Sequence, residues 1–137
     1  MKRVKHMQLK NGLTVGALVS EMNASGVLGA GKIGKAAEIV KEMFSDKDYT
    51  VFLTLAGPLV PGGLRQIIRD LIEQEYVNAV VTTGANMVHD MVESLGHSHW
   101  IGTFLAEDKE LKNQAIGRIG DIYIGQDAFK DLEKWIY

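Results

Sequence analysis

Two stretches of this chain are almost unbroken apolar runs, and each leads through a turn into a helix with one apolar stripe. The first is Val51-Phe52-Leu53-Thr54-Leu55-Ala56. Gly57-Pro58 and Pro61-Gly62-Gly63 punctuate the loop after it, and Leu64, Ile67, Ile68, Leu71 and Ile72 then recur at helical spacing. Arg65, Arg69, Asp70 and Glu73 fall on the solvent side of that helix. The second run spans residues 77–83 and is rich in β-branched residues. Its helix offers Met87, Val88, Met91, Val92 and Leu95 and stops at Gly96, suited to a left-handed C-terminal cap. A strand without hydrophobic alternation is expected to be covered on both faces. Strand–helix alternation therefore predicts an α/β fold with right-handed crossovers, a mainly parallel sheet and helices on both faces.

Weaker patterns flank this core. A turn at Asn11-Gly12 precedes a short helix over residues 14–22. A longer helix carries Ile33, Ala36, Ile39, Val40, Met43 and Phe44 on one face and breaks at Ser45-Asp46-Lys47-Asp48. Residues 100–105 read as a short strand. Asp121-Ile122-Tyr123-Ile124 reads as another, followed by a helix capped at Asp127 with Phe129, Leu132 and Ile136 on one side. Trp100 and Trp135 read as packing anchors. No repeat or linker interrupts the 137 residues, which read as one continuous unit.

Fifteen Lys and Arg against 17 Asp and Glu leave a net charge of -2, which argues against nucleic-acid binding. No apolar run is long enough for a membrane span, and the basic start has no apolar stretch behind it. With no cysteine, thiolate chemistry and Cys-ligated zinc are excluded. The expected location is cytoplasmic.

Ligands on parallel sheets bind at the carboxyl ends of the strands, which singles out residues 56–63 and 82–86. Thr82-Thr83-Gly84-Ala85-Asn86 brings hydroxyls, an amide and free backbone N–H groups to that edge. This suits an anionic or sugar-phosphate group, or else Thr83 or Asn86 simply caps the helix. Gly57, Gly62 and Gly63 either admit a ligand close to the backbone or only form a tight turn. His89, one turn past Ala85, reaches a ligand or caps the surface. Gly29-Ala30-Gly31-Lys32-Ile33-Gly34 matches G-x-G-x-x-G, but no strand precedes it and no acidic residue ends a second strand about 20 residues on. It reads as a flexible entry to a helix. His97-Ser98-His99 lacks a third ligand nearby, so no metal is expected. No lysine sits in an apolar setting that would suit Schiff-base work.

Residues 80–90, Val-Val-Thr-Thr-Gly-Ala-Asn-Met-Val-His-Asp, together with residues 52–65, resemble deoxyhypusine synthase of the archaeal type. Gly34-Lys35-Ala36, His99-Trp100-Ile101-Gly102 and Arg118-Ile119-Gly120-Asp121 extend the resemblance collinearly over most of the chain. It implies a Rossmann-like fold, of which this chain holds about half, in a homotetrameric, NAD-dependent transferase. That enzyme moves the aminobutyl group of spermidine to a lysine of the translation factor 5A precursor, through an imine on an enzyme lysine. By the same resemblance the NAD contacts fall at Ala56, Gly57, Pro58 and Pro61 and at Thr83, Gly84 and Ala85, with His89 a further candidate. Val88 and His89 stand where the eukaryotic pattern has two adjacent glutamates.

The family's catalytic lysine, catalytic histidine and polyamine-binding carboxylates belong to its carboxyl-terminal half, so no catalytic residue is expected here. The expected partner is a complementary carboxyl-terminal chain, or further subunits of a tetramer-like assembly, covering an apolar sheet edge. The resemblance also admits a homospermidine synthase-like or agmatine-using enzyme, or a non-catalytic regulatory paralogue of a full-length synthase.

Overall fold

The computed structural model describes residues 1–137. Helices α1 (Val15–Ser25) and α2 (Leu28–Ser45) are followed by β1 (Phe52–Leu55), a π-helical turn (Val60–Leu64) and α3 (Arg65–Glu73). Then come β2 (Ala79–Thr82), α4 (Gly84–Ser94), β3 (Trp100–Ile101), α5 (Asp108–Asn113), β4 (Ile116–Ile119), β5 (Ile122–Gly125) and α6 (Gln126–Ile136). Chain contacts separate two units, Met1–Val51 and Phe52–Tyr137, where the sequence reads as continuous. No helix is long and apolar enough to cross a membrane.

The first unit is a helical hairpin. Thr14 caps α1 by accepting from the Ala17 N–H at 3.2 Å, and Gly26 turns the chain in a left-handed conformation, φ 69°. The G-x-G-x-x-G segment is neither a loop nor a flexible entry, because its glycines lie inside α2. Gly31 and Gly34 are the buried residues of that helix. A Cβ on Gly31 would come within 2.5 Å of the Gly26 backbone, and one on Gly34 would overlap the backbone of Asn23. These glycines let two backbones approach more closely than any side chain permits. The expected apolar face of α2 is packed only in part: Met43 and Phe44 are half-buried, whereas Ile33, Ile39 and Val40 stay exposed.

In the second unit β1 and β2 pair in parallel, Phe52 with Ala79 through Leu55 with Thr82, and neither strand has another neighbour. The expected mainly parallel sheet is thus a single parallel pair here. It is not covered on both faces, since Phe52 is 62% and Val81 55% exposed. The other strands form an antiparallel sheet of order β3-β5-β4. Ile119 pairs with Ile122 around the two-residue turn Gly120-Asp121, with Gly120 at φ 64°.

The core joins α4, β5 and α6 through Val92, Ile124, Ala128 and Leu132, with Val88 and Met91 packed against it. Gly96 adopts the expected left-handed conformation after α4, φ 93°. Met87 and Leu95 remain exposed. The carboxyl-terminal end departs from expectation in four ways. The strand expected over residues 100–105 is limited to Trp100 and Ile101. Helix α6 starts after Gly125, with Asp127 inside its first turn and not at the cap. Of its expected face, Leu132 is buried while Phe129 and Ile136 are exposed. Trp100 and Trp135 are about two-thirds exposed, so they do not anchor this core.

Candidate functional site

The loops after β1 and β2 meet. Asn86, in the first turn of α4 and only 3% exposed, holds them together. Its Oδ1 accepts from the Val60 N–H at 3.0 Å, and its Nδ2 donates to the Ala56 carbonyl (2.6 Å) and to Thr82 Oγ1 (2.7 Å). Thr82 Oγ1 donates onward to the Leu55 carbonyl at 3.3 Å. Gly57 sits so close to the second loop that a Cβ there would lie 3.0 Å from Thr83 Oγ1 and 3.3 Å from Ala85 Cβ.

Of the residues expected at the site, Ala56, Gly57, Thr83 and Ala85 are therefore neighbours. Gly84 opens α4 with no heavy atom within 4 Å of its notional Cβ. No side chain caps α4, so the amino end of the helix keeps N–H groups and positive dipole available to an anion. Pro58 is exposed, whereas Pro61 is buried at the start of the π-helical turn and can only shape the loop. Capping by Thr83 or Asn86 is not how this segment works: Thr83 makes no side-chain cap, and Asn86 turns to the other loop.

Beside this junction lies a cavity of about 640 Å³ bounded by Leu55, Val80, Ile68, Ile72, Met87 and Asn86. At its rim Arg65 joins α3 to α4. Its Nε donates to Asp90 Oδ1 at 2.6 Å and stands 3.5 Å from Glu93 Oε2, while its Nη2 donates to Ser94 Oγ at 2.9 Å. The helical pattern places Arg65 on the wet side, but 25 to 29 residues separate it from partners that no local spacing reveals.

His89 is 8% exposed and does not cap the surface. Its Nδ1 lies 2.9 Å from His99 Nε2, and His99 Nδ1 lies 2.7 Å from Glu93 Oε1. The His89 ring also meets Phe129 edge-on, with centroids 6.0 Å apart. His97 turns elsewhere, to Asp131 at 3.3 Å. No group of three or more His, Asp or Glu side chains is arranged to hold a metal ion.

Burial, and next the charge of His99, lower the pKa of His89 from its ordinary 6.5, while Glu93 opposes the shift. The folded chain then binds fewer protons than the unfolded chain as pH falls through this range. The stability conferred by neutral His89 is complete above about pH 6.5 and is lost below it. Urea unfolding at pH 7.5 and 5.5 is expected to give a lower midpoint at the acidic pH. His89→Gln should reduce that difference; an undiminished difference would assign it to other groups.

The deoxyhypusine synthase family model matches residues 17–137. A protein named "Probable deoxyhypusine synthase" from Methanothermobacter thermautotrophicus is 42% identical over 130 residues, covering 95% of this chain and 42% of the relative. The "Probable deoxyhypusine synthase 1" of Archaeoglobus fulgidus is 39% identical over 98% of this chain and 44% of its own length. A "Deoxyhypusine synthase-like protein" of Chlorobaculum parvum is 43% identical over 93% of this chain and 36% of its own length. The chain thus spans about two-fifths of the length of the curated relatives it matches. With a match that runs from α1 to the last residue, and takes in both loops joined by Asn86, the chain belongs to the deoxyhypusine synthase family.

Proposed function

We propose that this chain supplies the NAD-contacting amino-terminal part of a deoxyhypusine synthase-like transferase, which acts once a carboxyl-terminal part completes it. The whole enzyme would move the aminobutyl group of spermidine, or a related polyamine, to a lysine of the translation factor 5A precursor. The observation that carries this reading is the family match over residues 17–137, in a chain spanning 42% of a curated relative. The uncovered β1–β2 pair is in keeping with it. Unpaired edges and exposed apolar faces on a parallel sheet call for further strands and helices.

The residues present fit a dinucleotide. Gly84 leaves space where a side chain would intrude, and the uncapped α4 offers N–H donors to a phosphate. Ala56, Gly57 and Pro58 would present backbone to the cofactor from one side, and Thr83, Gly84 and Ala85 from the other. Pro61 would set the loop's course from within. When bound, NAD would supply a hydride acceptor for polyamine oxidation. Residues 56–63 and 82–86 contain no lysine, and the covalent step would fall to the completing part.

Calorimetric titration with NAD is expected to give much tighter binding when the carboxyl-terminal part of a family member is added than with the chain alone. Equal affinity would remove the shared site. The double replacement Thr83→Leu with Gly84→Leu should lower affinity at least tenfold in the completed form. Thr83 abuts Gly57 whereas Gly84 has no neighbour to clash with, so Gly84→Leu alone, which should fold as wild type, is the control and should also lower affinity. Unchanged affinity would take both residues out of the site.

A further inference from the structure

We propose that His89, His99 and Glu93 form a proton relay, in which His89 Nε2 accepts a proton, its Nδ1 proton passes to His99, and the cation comes to rest against Glu93. The Glu93 carboxylate can only accept, so His99 Nδ1 at 2.7 Å carries a hydrogen. Neutral His99 then has a lone pair on Nε2, and the 2.9 Å contact requires a hydrogen on His89 Nδ1. Neutral His89 is left with an unprotonated Nε2, an acceptor fixed in place by two successive hydrogen bonds.

Adding one proton at His89 Nε2 lets the Nδ1 hydrogen move along the existing bond to His99 Nε2. One N–H bond forms at His89 Nε2, one transfers between the rings, and no electron changes hands. His89 ends neutral with its hydrogen on Nε2, so the group has switched from acceptor to donor. Both rings are buried, but the charge then sits on the one hydrogen-bonded to a carboxylate, His99, which is how a buried imidazole pair can accept a proton at moderate cost.

The surroundings favour this path. Within α4 the charged groups are Glu93 and Asp90, and both are held by Arg65 of α3. From the segment entering β3 the facing group is His99, itself 5% exposed at its side chain. Helix α6 presents the uncharged Phe129 ring. Glu93 is thereby the carboxylate that acts on both imidazoles. The relay follows from this geometry alone and does not depend on the polyamine chemistry proposed above.

The test is a pH titration of the full chain with ¹⁵N-labelled histidine, read by two-bond proton–nitrogen correlations. At pH 8 His89 is expected to show a protonated Nδ1 and a bare Nε2. As pH falls, His99 should become doubly protonated while the His89 hydrogen relocates to Nε2. Glu93→Gln should move the His89 transition to lower pH. In His99→Gln, His89 should instead titrate alone, becoming doubly protonated itself. A His89 hydrogen on Nε2 at pH 8 would overturn the relay. So would a transition unmoved by Glu93→Gln, or a His99→Gln titration identical to wild type.

Discussion

Gly34→Ala is expected to unfold the α1–α2 hairpin, the largest loss any single methyl group should cause in this chain. The added carbon would overlap the backbone of Asn23, which has no rotamer by which to retreat. Relief requires the helices to separate, and with them the Asn23–Glu38 hydrogen bond that crosses the hairpin. Overpacking of this kind costs about 1–3 kcal/mol where side chains can adjust, and more where backbone must move. Helix propensity works in the opposite direction, since alanine is favoured over glycine by about 1 kcal/mol in a helix interior. Gly29→Ala separates the two effects. It lies in the same helix with nothing within 4 Å of its added carbon, so it should leave stability unchanged or slightly raised. Circular dichroism through a urea titration reads both. Equal midpoints for the two variants would show that the glycine contact between the helices does not matter.

Asn86→Ala is the second large effect. It removes three hydrogen bonds and leaves the Val60 N–H, on a buried residue, with no acceptor. An orphaned buried donor costs about 1–3 kcal/mol by itself, so the total loss should be about 2–4 kcal/mol. Because the two loops would also part, the NAD affinity proposed above for a completed form should fall with stability. Asn86→Asp is the sharper probe. A carboxylate can still accept from Val60, but it cannot donate to the Ala56 carbonyl and would face that oxygen with like polarity. Aspartate should therefore be nearly as damaging as alanine. A denaturation midpoint close to wild type for either variant would refute the tying role assigned to Asn86.

What the sequence made legible was whatever repeats along the chain. Helical spacing located α1 to α4 and α6, and the apolar runs located β1 and β2, because those signals are local. Burial was less legible. Ile33, Ile39, Val40 and Phe52 belong to apolar patterns yet remain exposed, since a pattern names the face to be covered and not the element that covers it. Strand β4 was hidden by Gly117 and Arg118, although Gly120-Asp121 between two isoleucines is a hairpin signal that could have located it. At the site, the junction of residues 56–57 with residues 83–86 followed from the rule for strand ends. The roles of Asn86, Arg65 and Glu93 did not, because each depends on partners brought near by the fold.

Pairing of β1 with β2 joins Phe52 to Ala79, 27 positions apart (79 − 52), whereas β4 and β5 meet across two residues. Closing the longer loop costs more chain entropy before any contact repays it. When the full chain refolds from denaturant, then, the helical hairpin and the β4–β5 turn should form early and the parallel ladder late. Amide hydrogens of residues 52–55 and 79–82 should exchange sooner than those of residues 122–125. The stretch that joins the loops tied by Asn86 would thus be the most labile part of its unit, the last to settle and the first to open.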